Sequence, residues 1–160
     1  MLLRAYRDTD ARATLDVFLA AIRTTAAADY SPEQIAAWSD VDDLDSWHAA
    51  REASNTRVAE IDERVVGFTD VAPDGYIDML FVHPGVVRRG VASALLAWAD
   101  ATARESGATE LTTFASVTAR RFFSARGFAT DEERYPEVRG VRLTNYRMSL
   151  PLGAADAATH

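Results

Sequence analysis

The stretch "YIDMLFVHPGVVRRGVASALLAWA", residues 76–99, constrains the fold more than any other part of the chain. It begins with an apolar segment rich in β-branched and aromatic residues, which predicts one strand covered on both faces. A turn with two arginines and Gly90 follows. From Val91 a wide apolar stripe predicts a long core-facing helix, with Gly107 as its C-cap. The turn therefore lies at the N-terminus of the longest predicted helix.

Hydrophobic periodicity and turn residues predict the other elements along the chain. In order they are a strand in "LLRAYR", a helix through Leu15 and Ile22, a helix with Ser31 as N-cap, a short helix in "DDLDSWHAAREA", a hairpin in "TRVAEIDERVVGFTDV", a strand in "TELTTFA", a helix ending at Gly127 and two strands around Gly140. We expect one domain over residues 1–150 and a disordered C-terminal tail over 151–160.

Composition limits the class of protein. A chain of 160 residues with 48% hydrophobic and 26% charged residues is typical of one soluble domain. It has no cysteine and only three dispersed histidines, so we predict no metal site and a cytoplasmic location. The net charge of -7 disfavours a nucleic-acid partner. No apolar run approaches the length of a membrane span, and the acidic start is unlike a signal peptide, so we expect no membrane partner.

The turn before the long helix is placed to bind an anion. The first amides of a helix lack intrahelical partners, and the helix dipole adds partial positive charge, so the amides of residues 90–93 can point at a phosphate. Arg88 and Arg89 add side-chain charge to an otherwise acidic chain. An alternative remains open, in which Gly90 only serves the turn and both arginines are solvated. The glycine patterns of Walker and dinucleotide-binding loops are absent.

These motifs resemble the GCN5-related N-acetyltransferase (GNAT) family. "LFVHPGVVRRGVASALL" is similar to the strand, loop and helix with which that family holds the pyrophosphate of acetyl-CoA. "SVTARRFFSARGF" is similar to its short helix ending in Gly-Phe. The resemblance covers roughly residues 2–150 and looks most like a poorly characterised bacterial branch. It implies an α/β acyl-CoA N-acyltransferase fold, with a mixed, mostly antiparallel, splayed sheet of about seven strands and helices on both faces.

The resemblance also implies acetyl-CoA as the acyl donor and assigns its binding residues. Strand backbone would contact the pantetheine arm, and loop amides would hold the pyrophosphate. Ser116 stands where the family often has a cofactor-contacting Asn, and Phe123 stands where a Tyr often protonates the leaving thiolate. The complete predicted set is Leu80, Phe81, Val82, Arg88, Arg89, Gly90, Val91, Ala92, Ser93, Ser116 and Phe123.

The catalytic groups depart from the family pattern. A phenyl ring cannot donate a proton, so the usual acid is missing at Phe123, and Tyr135, Tyr146 or water is left to replace it. Asp78, within the predicted buried strand, is the candidate base, since desolvation there would make its carboxylate a better proton acceptor. The alternative for Asp78 is a structural carboxylate paired with an arginine.

Three aromatic residues are candidates for binding the acceptor. Tyr76 lies on the same strand face as Asp78, while Tyr30 and Trp38 lie in the early helical region that closes over the acceptor in the family. Core packing is the alternative for each of them. His83, beside Pro84, is interpreted as structural.

The function that the resemblance implies is direct transfer of an acetyl group to a small-molecule or peptide amine. A catalytically silent acyl-CoA-binding regulator is the first alternative, since it would keep the phosphate loop and lack a base. A toxin that acetylates transfer RNA is the second, and the net charge of -7 counts against it. The sequence leaves open whether the chain acts alone or as a homodimer.

Overall fold

Two four-stranded half-sheets that diverge from one another form the centre of the computed structural model, which describes residues 1–153. The strands are β1 Leu2–Ala5, β2 Thr56–Ile61, β3 Arg64–Asp70, β4 Tyr76–Ile77, β5 Leu80–Val82, β6 Glu110–Ser116, β7 Ala129–Arg134, β8 Glu137–Val138, β9 Val141–Arg142 and β10 Asn145–Pro151. The helices are α1 Ala11–Ala20, α2 Pro32–Trp38, α3 Leu44–Ala53, α4 Val91–Glu105 and α5 Val117–Ala125.

The half-sheets have the orders β1-β2-β3-β5 and β4-β6-β10-β7. All neighbouring strands in them are antiparallel except β4 and β6, which are parallel. If β4 and β5 are counted as one interrupted strand, the two half-sheets together contain seven strands. The expectation of a mixed, mostly antiparallel, splayed sheet is confirmed.

The predicted single strand over residues 76–82 is wrong, because the chain leaves one half-sheet at Ile77 and enters the other at Leu80. The carboxylate of Asp70 explains the break. Its Oδ1 accepts hydrogen bonds from the amides of Asp78, at 2.8 Å, and Met79, at 3.3 Å. These two amides are thereby taken by a side chain of β3, and the sheet splays at this point.

Asp70 is itself held in the protein interior, where only 3% of it is exposed. Burial raises the pKa of this carboxyl group. The guanidinium of the buried Arg51 lies 3.8 Å from Asp70 Oδ2 and also contacts the sulfur of Met79. A buried charged pair therefore supports the point at which the two half-sheets separate.

Helices cover both faces of the first half-sheet. Val91 and Leu95 of α4 pack on one face against Ala59 and Val66. On the opposite face α1 and α3 pack through a cluster that contains Phe18, Trp47 and Phe68. The second half-sheet packs on α4 and α5 through a cluster that includes Ala99, Leu111, Phe123 and Met148.

Several local predictions are confirmed. Ser31 and Gln34 form both hydrogen bonds of a capping box at the start of α2, at 3.1 and 2.9 Å. Gly107 follows α4 with a φ of +87°, the left-handed conformation expected of a C-cap glycine. The hairpin of β2 and β3 turns at Asp62 and Glu63.

The C-terminal region is more elaborate than the two strands predicted around Gly140. The long strands β7 and β10 pair with each other, and the short hairpin of β8 and β9 lies between them in sequence. This hairpin contacts α2, since Gln34 Nε2 donates to Arg142 O at 3.0 Å and Arg139 Nη1 donates to Ala37 O at 2.7 Å. The packed chain continues past residue 150 to Leu152, which is 4% exposed. The remainder of the predicted tail, 154–160, lies outside the described residues.

Candidate active site

The loop before α4 adopts the conformation that an anion-binding helix start requires. Gly90 is the N-cap of α4 with a φ of +80°, and no side chain caps the helix there. The amides of residues 90–93 therefore keep the unpaired state of a helix N-terminus. Gly67 of β3 brings this end of α4 close to the sheet, because a Cβ on Gly67 would lie only 3.0 Å from Val91 Cγ1.

A cavity of about 510 Å³, called here the loop cavity, lies beside this helix start. Its wall includes β5, most of the loop from Val86 to Gly90, the first turn of α4, and the start and inner face of α5. Ten of the eleven predicted cofactor residues line it. Arg89 is the exception; it is exposed and is not part of the wall.

The strand β5 presents a backbone edge toward the gap between the half-sheets. It is the last strand of its half-sheet and pairs only with β3 there. The three predicted pantetheine contacts, Leu80, Phe81 and Val82, constitute this strand and line the loop cavity. An edge strand offers unpaired N–H and C=O groups, which suit the amide groups of an extended ligand.

Arg126, at the end of α5, is one of three arginines in this segment that the sequence offers as contacts for coenzyme A phosphates, with an exposed helix face as the alternative. Its Nη2 donates to Ser93 Oγ at 2.5 Å, and its guanidinium lies 3.8 Å from the ring centroid of Phe122. Together with Arg88 it lines the loop cavity beside the start of α4. The sequence does not separate Arg126 from Arg120 and Arg121, since its position at the cavity depends on the contact between α4 and α5.

We expect Arg126→Gln to raise the dissociation constant for coenzyme A by about threefold to tenfold, as one exposed charge-assisted contact to a phosphate is lost. Titration at two salt concentrations measures this, and the difference from the unmodified protein shrinks at high salt. Arg120→Gln is the control, because Arg120 lies on the same helix but stacks on Tyr146 and does not line the cavity. An equal rise of the dissociation constant in both variants would contradict the assignment of Arg126 to the phosphates of coenzyme A.

A second cavity of about 270 Å³, the sheet-end cavity, adjoins the first. Trp38, Leu80, Phe81, Ser116, Ala119 and Phe123 line both cavities. Asp78, Tyr30 and Phe114 line the sheet-end cavity alone. Residues in or beside the β8–β9 hairpin also line it, namely Pro136, Val138, Leu143, Thr144 and Asn145. The sequence did not indicate these residues.

Asp78 lies at the sheet-end cavity but is exposed, so the desolvation predicted for it is absent. The reason is the break between β4 and β5, which removes Asp78 from the paired part of the sheet. The buried carboxylate at this point is Asp70 instead. Tyr76 lies beside Asp78 as predicted, and its hydroxyl donates to Asp78 Oδ1 at 3.1 Å. Burial, together with the charge of Asp78, raises the pKa of Tyr76 to about 12, so this hydroxyl stays a donor.

Ser116 and Phe123 lie where the two cavities meet. Ser116 is the N-cap of α5, and its Oγ accepts the amide of Ala119 at 3.0 Å. Because the hydroxyl serves there as an acceptor, its proton is available to a ligand. Phe123 is 3% exposed and packs against Phe122 and Phe128.

Tyr30 and Trp38 both reach the cavities. Their rings contact each other with centroids 5.3 Å apart. The hydroxyl of Tyr30 donates to Thr144 O at 2.7 Å and accepts from Val117 N at 2.9 Å. Tyr30 therefore presents its ring to the sheet-end cavity, while its hydroxyl joins the helical region to β10 and α5.

The two tyrosines considered as replacement acids line neither cavity. Tyr135 is 49% exposed, and its hydroxyl donates to Glu133. Tyr146 packs against the cluster under α5, with the Arg120 guanidinium 4.2 Å from its ring centroid. The structure does not bring either hydroxyl together with Asp78 and Phe123.

Within residues 1–153 the structure shows no group of three or more histidine, aspartate and glutamate side chains arranged to hold a metal ion. Over the same residues none of the helices combines the length and the apolarity that crossing a membrane demands.

Comparison with known proteins identifies relatives over nearly the whole chain. A family model described as the acetyltransferase (GNAT) domain matches residues 26–150. YafP of Escherichia coli (strain K12), an uncharacterised N-acetyltransferase, is 41% identical over 146 residues, which are 91% of this chain and 93% of YafP.

Solved structures agree with this finding. The crystal structure of a GCN5-related N-acetyltransferase from Rhodopseudomonas palustris has a TM-score of 0.91 and 36% identity, with 94% of each chain covered. The PaiA N-acetyltransferase of Thermoplasma acidophilum, solved in complex with coenzyme A, has a TM-score of 0.71. It is 16% identical and covers 94% of this chain and 98% of its own, so it supports the fold alone.

Proposed function

Because the chain belongs to the GCN5-related N-acetyltransferase family, we propose that it transfers an acetyl group directly from acetyl-CoA to an amine. The proposal rests on the arrangement of the two cavities. The loop cavity, with its uncapped helix start and edge strand, shares six lining residues with the sheet-end cavity at which Asp78 lies. A donor in the first cavity and an acceptor in the second can therefore meet where the two join.

The residues of the loop cavity fit acetyl-CoA, which supplies an acetyl thioester when it is bound. Gly90 has no heavy atom within 4 Å of the position of a Cβ, so the loop leaves room for a phosphate. The amides of residues 90–93, with Arg88 and Arg126, provide hydrogen bonds and positive charge for the pyrophosphate. The backbone edge of β5 suits the pantetheine arm.

The acceptor must lose a proton before or during its attack, and Asp78 is the base that we propose. Its exposed carboxylate lies at the sheet-end cavity, where an entering ammonium group would pair with it and then transfer the proton. Tyr76 donates to the same carboxylate and orients it. Asp78 thus combines recognition of the amine with its activation.

The leaving thiolate needs little help, because a thiol has an ordinary pKa near 8.5 and leaves fairly easily. Ser116 and water at the junction of the cavities are the available donors in this proposal, since Tyr135 and Tyr146 line neither cavity. Proton donation to the thiolate is therefore not expected to limit the rate.

Phe123→Tyr tests this part of the mechanism. We expect the single-turnover rate to change by less than about tenfold, because a donor is already present. The new hydroxyl is buried and is expected to lower the free energy of unfolding by about 1–3 kcal/mol if it finds no partner. Tyr135→Phe and Tyr146→Phe are measured beside it and are expected to be near normal. A gain of tenfold or more in Phe123→Tyr would mean that leaving-group protonation limits the enzyme.

The alternative is a silent acyl-CoA-binding regulator, which the phenylalanine at position 123 favours. An assay of free thiol release from acetyl-CoA, across a broad panel of amines, separates the two. Amine-dependent release supports the transferase. Tight binding of acetyl-CoA without release for any amine would favour the regulator.

A further inference from the structure

The lining of the sheet-end cavity restricts what kind of acceptor it takes. Among the described residues that form its wall, Asp78 is the only one with a charged side chain. Most of the wall is aromatic or aliphatic, including Phe18, Trp38, Phe114 and Val138. The cavity therefore provides one negative charge within apolar surroundings.

The polar groups of the wall are largely used by the fold. Thr113 Oγ1 donates to Ile77 O at 2.9 Å, and the Tyr30 hydroxyl donates to Thr144 O at 2.7 Å. Ser116 caps α5 at the junction with the loop cavity. The hydrogen-bonding groups that remain for a ligand are few and include Asp78, Asn145 and the hydroxyl proton of Ser116, so most of an acceptor would meet carbon atoms.

Arg134 packs on one ring of the wall but does not itself line the cavity. Its guanidinium lies 4.4 Å from the ring centroid of Phe114, and its Nε is 4.0 Å from Glu132. A carboxylate on the acceptor would meet the like charge of Asp78, with no cationic side chain among the described residues that line the cavity, which is costly.

Size sets a further limit. A cavity of about 270 Å³ corresponds to the liquid volume of about nine water molecules, which suits a compact molecule. A second ammonium group on the acceptor would lie against aromatic and aliphatic side chains, since Asp78 is the only charged residue among the described residues of the wall. This contact is less favourable than that of an apolar body of the same length.

We propose that the acceptor is a small primary amine whose ammonium group is its only charge and whose body is apolar. This inference rests on the proposed acetyl transfer. The ammonium pairs with Asp78, and the body lies against Trp38, Phe114 and Val138. Asp78 takes one proton from the ammonium and so frees the lone pair of the nitrogen. The nitrogen forms a bond to the acetyl carbon, the carbon–sulfur bond breaks, and the sulfur leaves as the thiolate of coenzyme A. The second proton that the nitrogen loses passes to this thiolate or to water, so the product is a neutral amide.

Three probe amines test the proposal with the unmodified protein and acetyl-CoA. Phenethylamine has one ammonium group and an apolar body, phenylalanine adds a carboxylate to the same skeleton, and putrescine replaces the ring by a second ammonium group. We expect kcat/KM for phenethylamine to exceed each of the others by at least about tenfold. Equal or faster acetylation of phenylalanine, putrescine or a lysine-containing peptide would overturn the proposal.

A charge change in the cavity wall provides the second test. Val138→Glu adds a carboxylate that can pair with the far ammonium of putrescine, and Val138→Gln is a neutral control of the same length. The ratio of kcat/KM for putrescine to that for phenethylamine is expected to rise by about tenfold or more in the glutamate variant only. This ratio does not depend on the fraction of folded enzyme. An unchanged ratio would contradict the assignment of the acceptor to the sheet-end cavity.

Different results would overturn the acceptor class and the acetyl transfer itself. Transfer to charged amines in preference to phenethylamine overturns the acceptor class and leaves acetyl transfer intact. Binding of acetyl-CoA without transfer to any amine overturns the proposed function, and the acceptor class with it.

Discussion

Replacing Asp78 with Asn is expected to lower turnover by about 100-fold or more, because a general base contributes on that scale. The amide keeps the shape of the side chain and can still accept the hydrogen bond from Tyr76, but it cannot take a proton from the amine. The affinity for acetyl-CoA is expected to stay nearly unchanged, since Asp78 does not line the loop cavity.

The measurement is a pH–rate profile of both proteins with a saturating amine. A base must be ionised to act, so activity of the unmodified enzyme falls as pH falls, and this acidic limb is expected to move or vanish in Asp78→Asn. Asp74→Asn is the control, because Asp74 lies in the turn before β4, accepts the Tyr76 amide at 3.1 Å and lines neither cavity. If Asp78→Asn keeps a near-normal rate and an unaltered acidic limb of the pH–rate profile, Asp78 is a structural residue and not the base.

Replacing Gly90 with Glu is expected to raise the dissociation constant for acetyl-CoA by about 100-fold or more. The new side chain fills the space at the start of α4 and adds a negative charge where a pyrophosphate would bind. In the unmodified protein, acetyl-CoA at a hundredfold excess over its dissociation constant raises the free energy of unfolding by about 2.7 kcal/mol. The same concentration would stabilise the variant by only about 0.4 kcal/mol.

Gly107→Glu is a matched control for this change. Both glycines flank α4 with a positive φ, and a Cβ at either position would have no heavy atom within 4 Å. Backbone strain and added charge are therefore similar, but Gly107 lies at the opposite end of the helix and does not line the loop cavity. Thermal unfolding with and without acetyl-CoA separates a loss of ligand binding from a loss of stability of the fold. Normal stabilisation of Gly90→Glu by the ligand would show that the phosphate site is elsewhere.

Features that depend on residues close to one another in the sequence were predictable from it. The capping box of Ser31 and Gln34 and the left-handed Gly107 depend on residues within one helical turn. The same holds for the loop of Gly90, whose neighbours supply both the strand and the helix around the proposed phosphate site. All eleven predicted cofactor residues come from this region or from the segment of Ser116 and α5, and ten of them line the loop cavity.

Features that depend on distant contacts were not predictable in the same way. The apolar run over residues 76–82 gives no sign of the break at Asp78 and Met79, because the hydrogen bonds that hold it come from Asp70 on another strand. Hydrophobic periodicity places Tyr146 on a strand but cannot say which helix covers it. The wall of the sheet-end cavity depends on the docking of the β8–β9 hairpin against α2.

Acetyl transfer itself is tested most directly by quantifying two products of one reaction. The protein is incubated with acetyl-CoA and phenethylamine, and acetylated amine and free thiol are measured over time by mass spectrometry and thiol titration. We expect both to accumulate at equal rates, thiol release to depend on the amine, and Asp78→Asn to slow both together. Thiol release that is independent of any amine, or binding of acetyl-CoA with no acetylated product across the whole amine panel, would contradict the proposed acetyl transfer.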